Sequence, residues 1–441
     1  MTMINAYDRA RAGQLDPQDR ALIARRERAL GPAYRLFYEE PLHIVRGKGV
    51  WLWDKAGRKY LDAYNNVVSL GHCHPRVVEA VSAQMSVLNS HTRYLHEDIV
   101  TYAERLLATM PHTLGHVMFT CTGSEANDLA LRIARSYTGR QGVIITRLAY
   151  HGVTEAVSEL SPSLGDFVPR SSRVRLIDAP DGLRIPAADQ GVKLAADLAL
   201  AIADMRADGV EPAAFLVDTV FSSDGLHPDP AGFLQPAVDL IRSEGGIFIA
   251  DEVQPGFART GDHFWGFQRH DLVPDMVTMG KPMGNGFPVS GVAMRPDLVQ
   301  EFGAKARYFN TFGGNPVAAA AGLAVLDVIQ DEGLQENASR VGAFLKEGLE
   351  EVARCHPAIA QVRGAGLFLA VECVLDRQTN APDAATAGFV VNHLRRNGVL
   401  ISASGPGANI LKIRPPLVLQ EVEAEIFLDA VKAAFAAASS A

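Results

Sequence analysis

Cysteine is scarce: Cys73, Cys121, Cys355 and Cys373 are the only four in 441 residues, too scattered for a disulfide framework or a thiolate metal site. Long apolar runs are missing too. No stretch approaches the roughly 18 uninterrupted apolar residues of a membrane span, and the most apolar helical run, 317–326, is short, Ala-rich and stopped by Asp327. Basic clusters are also lacking. With 42 Lys+Arg against 50 Asp+Glu the formal net charge is −8, which offers nucleic acid no electrostatic footprint. Asp8, Arg9 and Arg11 precede any hydrophobic block, which argues against a secretory signal. No G-x-G-x-x-G follows a strand pattern, and no G-x-x-x-x-G-K-[ST] occurs. What remains, 48% apolar and 21% charged, is globular in composition and long enough for two or three domains. A reducing, cytoplasmic setting without membrane or nucleic-acid partners is expected.

From about residue 75 to 325, short β-rich runs alternate with helical patterns. The runs are VMFT (117–120), VIIT (143–146), AAFLV (213–217), IFIA (247–250), MVTM (276–279) and VSGVAM (289–294). This alternation predicts an α/β fold with a mainly parallel sheet covered by helices on both faces. The ends read differently. Residues 1–50 are charged and helical, and WLWDKAGRKYLDAYNN suggests two strands turning at Gly57. After Pro316 come a long helical region (about 317–352), a strand pair in VRGAGLFLAVEC, a helix, the strand VLISAS and a closing helix. The expected division is a large domain at 75–325 and a smaller α+β domain assembled from 1–74 and 326–441. Open parallel sheets bind ligands beyond the carboxyl ends of their strands, so chemistry is sought in those loops.

After VMFT, the segment TCTGSEANDLALRIAR reads as strand, turn and helix, with Ser124, Glu125 and Asp128 marking a helix start near Ser124. Backbone N–H groups at Gly123 and Ser124 would then face an anion such as a phosphate. Tyr150-His151-Gly152 supplies an aromatic face after the next strand. Asp251 directly follows four apolar strand residues, where a carboxylate needs a cationic or hydrogen-bonding partner. Lys281 stands just past MVTM in a glycine-rich loop, where desolvation would lower its pKa and free a nucleophilic amine. An anion cradle, a stacking face, a carboxylate and a strand-end lysine are the four parts that pyridoxal phosphate needs. Trp51 and Trp53 alternate as packing residues do, and His72 and His74 in GHCHP lack a further metal ligand at suitable spacing.

The motifs GSEAND, AYHG, FIADEVQPGFARTG, VTMGKPMGNGFP and FNTFGGNP, in this order, resemble those of class III aminotransferases. The resemblance runs from LFYEEPLHIVRGKGVWLWD to the closing helix. It implies a pyridoxal-phosphate-dependent transferase of fold type I, with a seven-stranded sheet in the large domain and pyridoxal 5′-phosphate as cofactor. It also implies a homodimer with active sites at its interface. Lys281 is implied as the Schiff-base lysine and proton shuttle, and Asp251 as the partner of the pyridinium nitrogen. Gln254 would reach the ring hydroxyl, and Val253 would pack on the ring face opposite Tyr150, with His151 in the same cofactor-binding set. Gly123 and Ser124 would hold the phosphate, and Thr311 would reach the phosphate of the neighbouring subunit.

The substrate end departs from the best-known members. Lys412 stands where an arginine often binds a carboxylate three residues before the last Pro-Pro pair, and Arg414 follows two residues later. Asp218 replaces a customary glutamate, and SASGPGAN lacks the mobile arginine of amine:pyruvate transaminases. NSHTRYLH, with Arg93, and LISASGPGANILKIRPP, with Lys412, resemble a subgroup containing phospho-lyases of phosphorylated amino alcohols and hydroxylysine. Arg93, Lys412 and Arg414 are expected to form a cationic pocket for a carboxylate or a phosphate. Two activities follow. The first, commoner in the family, is a transaminase moving an amino group between an amine or ω-amino acid and a keto acid such as pyruvate. The second is a phospho-lyase eliminating phosphate from an O-phosphorylated amino alcohol such as O-phosphoethanolamine.

Overall fold

The computed structural model describes residues 5–439. Its centre is a seven-stranded sheet in the order His116–Thr120, Ser290–Met294, Met276–Met279, Ile247–Asp251, Pro212–Asp218, Gly142–Thr146, Val174–Ile177. The last five in that order run parallel, and Ser290–Met294 is antiparallel to both its neighbours. Gly142–Thr146 and Ile247–Asp251 are buried along their whole length. Their near-continuous apolar sequence follows from helices covering both faces. Six strands fall where the alternating runs place them. The seventh, Val174–Ile177, is a short edge strand interrupted by Arg175, and only its pairing with Gly142–Thr146 makes it visible.

The helix Gly123–Thr138 lays Leu129, Ala130, Ile133 and Ala134 on the sheet and ends at Gly139 in the left-handed conformation. Its cap is Thr122, whose hydroxyl accepts from Glu125 N–H at 3.2 Å. The helix starts at Gly123, next to the expected start at Ser124. Ser124 is released from capping, and its hydroxyl accepts from Val153 N–H at 3.1 Å.

The two ends of the chain meet. Ile44–Lys48, expected to be helical, is a strand, because Gly47 and Gly49 break helical continuity and its residues pair with Trp51–Asp54. That sheet continues through Lys59–Asp62 to Val399–Leu400, which joins in parallel. The run VLISAS is thus divided. Val399–Leu400 pairs with the N-terminal strands, whereas Ser402–Ser404 pairs with Ile410–Ile413 in a second sheet holding Ile359–Ala365 and Phe368–Asp376. The helical region after Pro316 is two helices, Pro316–Asp331 and Leu334–Cys355, parted at Gly333 with φ 59°.

Arg363 ties the second sheet to the large one. Its guanidinium donates to the carbonyls of Gly225 and Leu226, in the loop after Pro212–Asp218, and pairs with buried Glu372 at 2.7 Å. Among the described residues, no helix is long and apolar enough to cross a membrane.

Candidate active site

The carboxyl ends of the central strands open on a cavity of about 160 Å³. Gly123, Ser124, Tyr150, His151, Asp218, Asp251, Val253, Gln254 and Lys281 all line it, so the sheet brings together nine residues that the sequence scatters between positions 123 and 281.

One end is an anion cradle. Gly123 and Ser124 form the first turn of their helix, where N–H groups lack intrahelical partners. Glycine is required at Gly152, and at Gly123 a larger residue would press on its neighbour. A Cβ on Gly123 would lie 3.1 Å from Val253, and Gly152, at φ 143°, would drive one to 2.5 Å from Ser124 Oγ. Ser161 Oγ accepts from the N–H groups of His151 (2.9 Å) and Gly152 (3.0 Å) and so shapes the neighbouring turn.

Behind the cradle, Asp251 is almost fully buried and held by three donors. His151 Nδ1 lies 2.7 Å and Asn127 Nδ2 3.0 Å from Oδ2, and Val253 N–H donates to Oδ1 at 3.1 Å. Asn127 also donates to the carbonyl of His151 at 2.8 Å. The sequence reading missed it, although it stands one helical turn past Gly123. Lys281 opens a short 3-10 turn after Met276–Met279. Among the described residues its amine has no hydrogen-bond or ion-pair partner, and it lies 5.9 Å from the centre of the Tyr150 ring. Burial lowers its pKa, Asp251 opposes that, and Arg414 lowers it further. A partnerless amine, an anchored carboxylate and a glycine-lined helix start fit pyridoxal phosphate.

The other end of the site is cationic. Lys412, on Ile410–Ile413, is buried and donates to the carbonyl of Ser222 at 2.5 Å. Arg414 donates to Gln254 Oε1 at 2.9 Å and lies over the Tyr64 ring at 4.8 Å. Among the described residues neither cation has a carboxylate in ion-pair contact. Burial draws the Lys412 ammonium well below the usual lysine range, and neighbouring Arg414 adds to this. Asp218 lies beside Asp251 in the parallel register and is pushed up by burial, against the hydrogen bonds it accepts from Ser222.

Arg93 and Thr311 lie apart from this cavity within the chain. Both are exposed, and the Arg93 guanidinium stacks on Phe309 at 3.8 Å. Neither Lys412 nor Arg414 lines the cavity itself: they stand behind its wall, on Ser222 and Gln254, and this chain's own Arg93 is not with them, because residues 88–96 run over the surface rather than toward the strand ends. Ser222, which joins Asp218, Gln254 and Lys412, carried no sequence signal. His72 is engaged with Asp62 at 2.7 Å.

This fold and constellation define a pyridoxal-phosphate enzyme of fold type I. The model of the family "Aminotransferase class-III" matches residues 37–435, and the chain belongs to that family. Pyridoxal 5′-phosphate is accordingly its cofactor. The chain is 41% identical to an alanine–glyoxylate aminotransferase 2-like protein of Drosophila melanogaster, covering 92% of this chain and 85% of that protein. It is 38% identical to ethanolamine-phosphate phospho-lyase homolog 1 of Caenorhabditis elegans, covering 91% and 90%. A solved phospholyase from Arthrobacter, in complex with phosphoethanolamine, superposes with a TM-score of 0.91 at 42% identity, covering 94% of this chain and 99% of that one.

Proposed function

We propose that the enzyme eliminates phosphate from an O-phosphorylated amino alcohol, with O-phosphoethanolamine as the representative substrate. The observation that carries this reading is Lys412: a buried amine donating to a main-chain carbonyl, with buried Arg414 beside it and, among the described residues, no carboxylate in ion-pair contact. Burial without a contacting counter-ion favours the neutral amine of Lys412, and an anionic substrate beside it would restore the charge. Lysine, a compact charge with three donors, suits the tetrahedral oxygens of a phosphate, and Arg414 adds a second positive charge. The 42% identical phospholyase, whose structure holds phosphoethanolamine, supports the same choice.

The bound cofactor supplies an electron sink for the carbon that carries the substrate's amino group. Asp251, oriented by His151, Asn127 and Val253 N–H, would hold the pyridine nitrogen protonated. Gly123 and Ser124 would hold the cofactor's phosphate, with Tyr150 and Val253 on opposite ring faces and Gln254 at the ring hydroxyl. Lys281 would bind the cofactor and, once released by the substrate's amine, take the proton from the amine-bearing carbon as general base. As the carbon–oxygen bond to phosphate breaks, Lys412 and Arg414 would stabilise the departing anion. Asp218 holds Ser222 and lies near enough to Lys412 to offset part of the cationic charge.

Transamination between an amine or ω-amino acid and a keto acid such as pyruvate is the second reading, favoured by the 41% identical alanine–glyoxylate aminotransferase 2-like relative. It shares every step up to proton removal and differs in where Lys281 returns the proton. Incubation with O-phosphoethanolamine and no keto acid separates the two. Stoichiometric phosphate release supports the lyase, whereas no release together with alanine formation from pyruvate overturns it. The active unit is proposed to be a homodimer, in which exposed Thr311 and Arg93 would serve the neighbouring site. Exposed Tyr94, Leu95 and Phe312 on the same surface support a second copy covering it.

A further inference from the structure

Ser222 touches three sides of the site. Its N–H donates to Asp218 Oδ2 at 3.1 Å, and its hydroxyl donates to the same oxygen. The hydroxyl oxygen accepts from Gln254 Nε2 at 2.5 Å, and the carbonyl accepts from Lys412. The residue is fully buried. Its turn has little freedom, because Phe221 (φ 52°) and Leu226 (φ 67°) both sit in the left-handed region and Arg363 holds the carbonyls of Gly225 and Leu226. Gln254 Oε1 already receives Asn66 Nδ2 at 3.0 Å and Arg414 Nη1 at 2.9 Å. Both of its lone pairs are therefore occupied, and Nε2 must face Ser222. One N–H of Gln254 is left for whatever fills the cavity.

We propose that Ser222 is the positioning residue that fixes Gln254 as a hydrogen-bond donor toward the cofactor's ring oxygen. Its hydroxyl does this, while its carbonyl separately seats Lys412. The inference rests on the reading above for the cofactor's ring against Gln254 and for the substrate's anion at Lys412. Removing the hydroxyl takes a buried acceptor from Gln254 and a buried donor from Asp218, yet leaves the carbonyl under Lys412 intact. A ring oxygen with a weaker donor holds the proton it shares with the Lys281 nitrogen more tightly. The visible absorption of the loaded enzyme should then titrate at higher pH.

Ser222→Ala and the near-isosteric Ser222→Cys are compared with wild type as cofactor-loaded enzymes. Visible absorption is titrated against pH, and kcat and KM are measured with O-phosphoethanolamine. For Ser222→Ala the midpoint rises by about half to one pH unit, a three- to tenfold change in the proton equilibrium. Its kcat falls roughly tenfold and its KM moves less than about threefold, since Lys412 keeps its seat. Ser222→Cys, a weaker donor and acceptor that preserves packing, shifts the midpoint less and in the same direction. Gln254→Leu reproduces the shift, and adding Ser222→Ala to it produces no further one. An unmoved midpoint, additive shifts in the double variant, or a KM rise matching the fall in kcat overturns the proposal. If wild type releases no phosphate, the lyase reading fails while the midpoint comparison still decides the role of Ser222.

Discussion

The cofactor side and the substrate side of this site are built differently. On the cofactor side each functional group stands at or shortly beyond the end of a strand in one sheet, and the charged carboxylate is already satisfied: Asp251 has three donors. On the substrate side the cations come from a different sheet, on Ile410–Ile413 and just beyond it, and meet Asp218 and Gln254 only through Ser222 and side-chain contacts. Among the described residues those cations lack an acidic partner in contact. On one side the carboxylate is matched by its own donors while Lys281 and the helix-start N–H groups face the cofactor's place, and on the other the cations await an anion. The contrast teaches that a site can anchor its key carboxylate where it holds a permanent guest and stay charge-unbalanced where it must capture and release.

The largest effect should come from breaking the cofactor side. Lys281→Ala is expected to abolish the visible absorption of the loaded enzyme and to cut turnover by about a thousandfold or more, read by spectrophotometry and kcat. Retained turnover would remove the basis of the assignment. Lys412→Met tests the unbalanced side. It should raise KM for O-phosphoethanolamine roughly ten- to a hundredfold, as expected for a lost charge-assisted hydrogen bond, while the absorption of the bound cofactor stays as in wild type. Since burial favours the neutral amine, wild-type KM should also rise with pH as Lys412 loses its proton. A spectrum altered as strongly as KM would show that the two sides are not separable.

The smallest effect on turnover concerns the strut between the sides. Buried Asp224 accepts from Thr146 Oγ1 at 2.7 Å and Leu148 N–H at 2.9 Å, just before Tyr150, and burial pushes its carboxyl up from 3.8 to about 6. Between those values the folded state keeps a proton that the unfolded chain has released. Its contribution is therefore full below about pH 4 and is lost as pH rises through about 6. Relative to Asp224→Asn, wild type should lose on the order of 1 to 3 kcal/mol of stability between pH 4 and 7. Urea unfolding at the two pH values measures this, and parallel curves for the two proteins would refute it.

Legibility in the sequence followed the same divide. Lys281 and Asp251 stand out because a charged residue directly after an apolar strand is costly and therefore conspicuous. Asn127 sits inside GSEAND but carries no charge, so its bond to Asp251 could not be read from the segment alone. Ser222 lies in an ordinary-looking VFSSDG, and its importance comes from three partners 4, 32 and 190 positions away. Arg93 and Lys412 were expected to share a pocket on motif likeness, whereas within one chain the first stacks on Phe309 at the surface and the second is buried. Val174–Ile177 was too short and too polar to announce itself without a neighbour to pair with.

The sequence by itself determined the alternating strands and helices, the glycines that admit an anion, and the lysine and carboxylate at strand ends. These depend on local periodicity and on the cost of placing charge beside apolar segments, both of which are written in adjacent residues. Only the tertiary structure decided that Lys412 and Arg414 lie buried without an acidic contact partner among the described residues, which way the Gln254 amide faces, and that Ser222 joins them. Those outcomes depend on which lone pairs and charges remain unmatched after two sheets pack together, and this is a property of the assembled interior rather than of any segment.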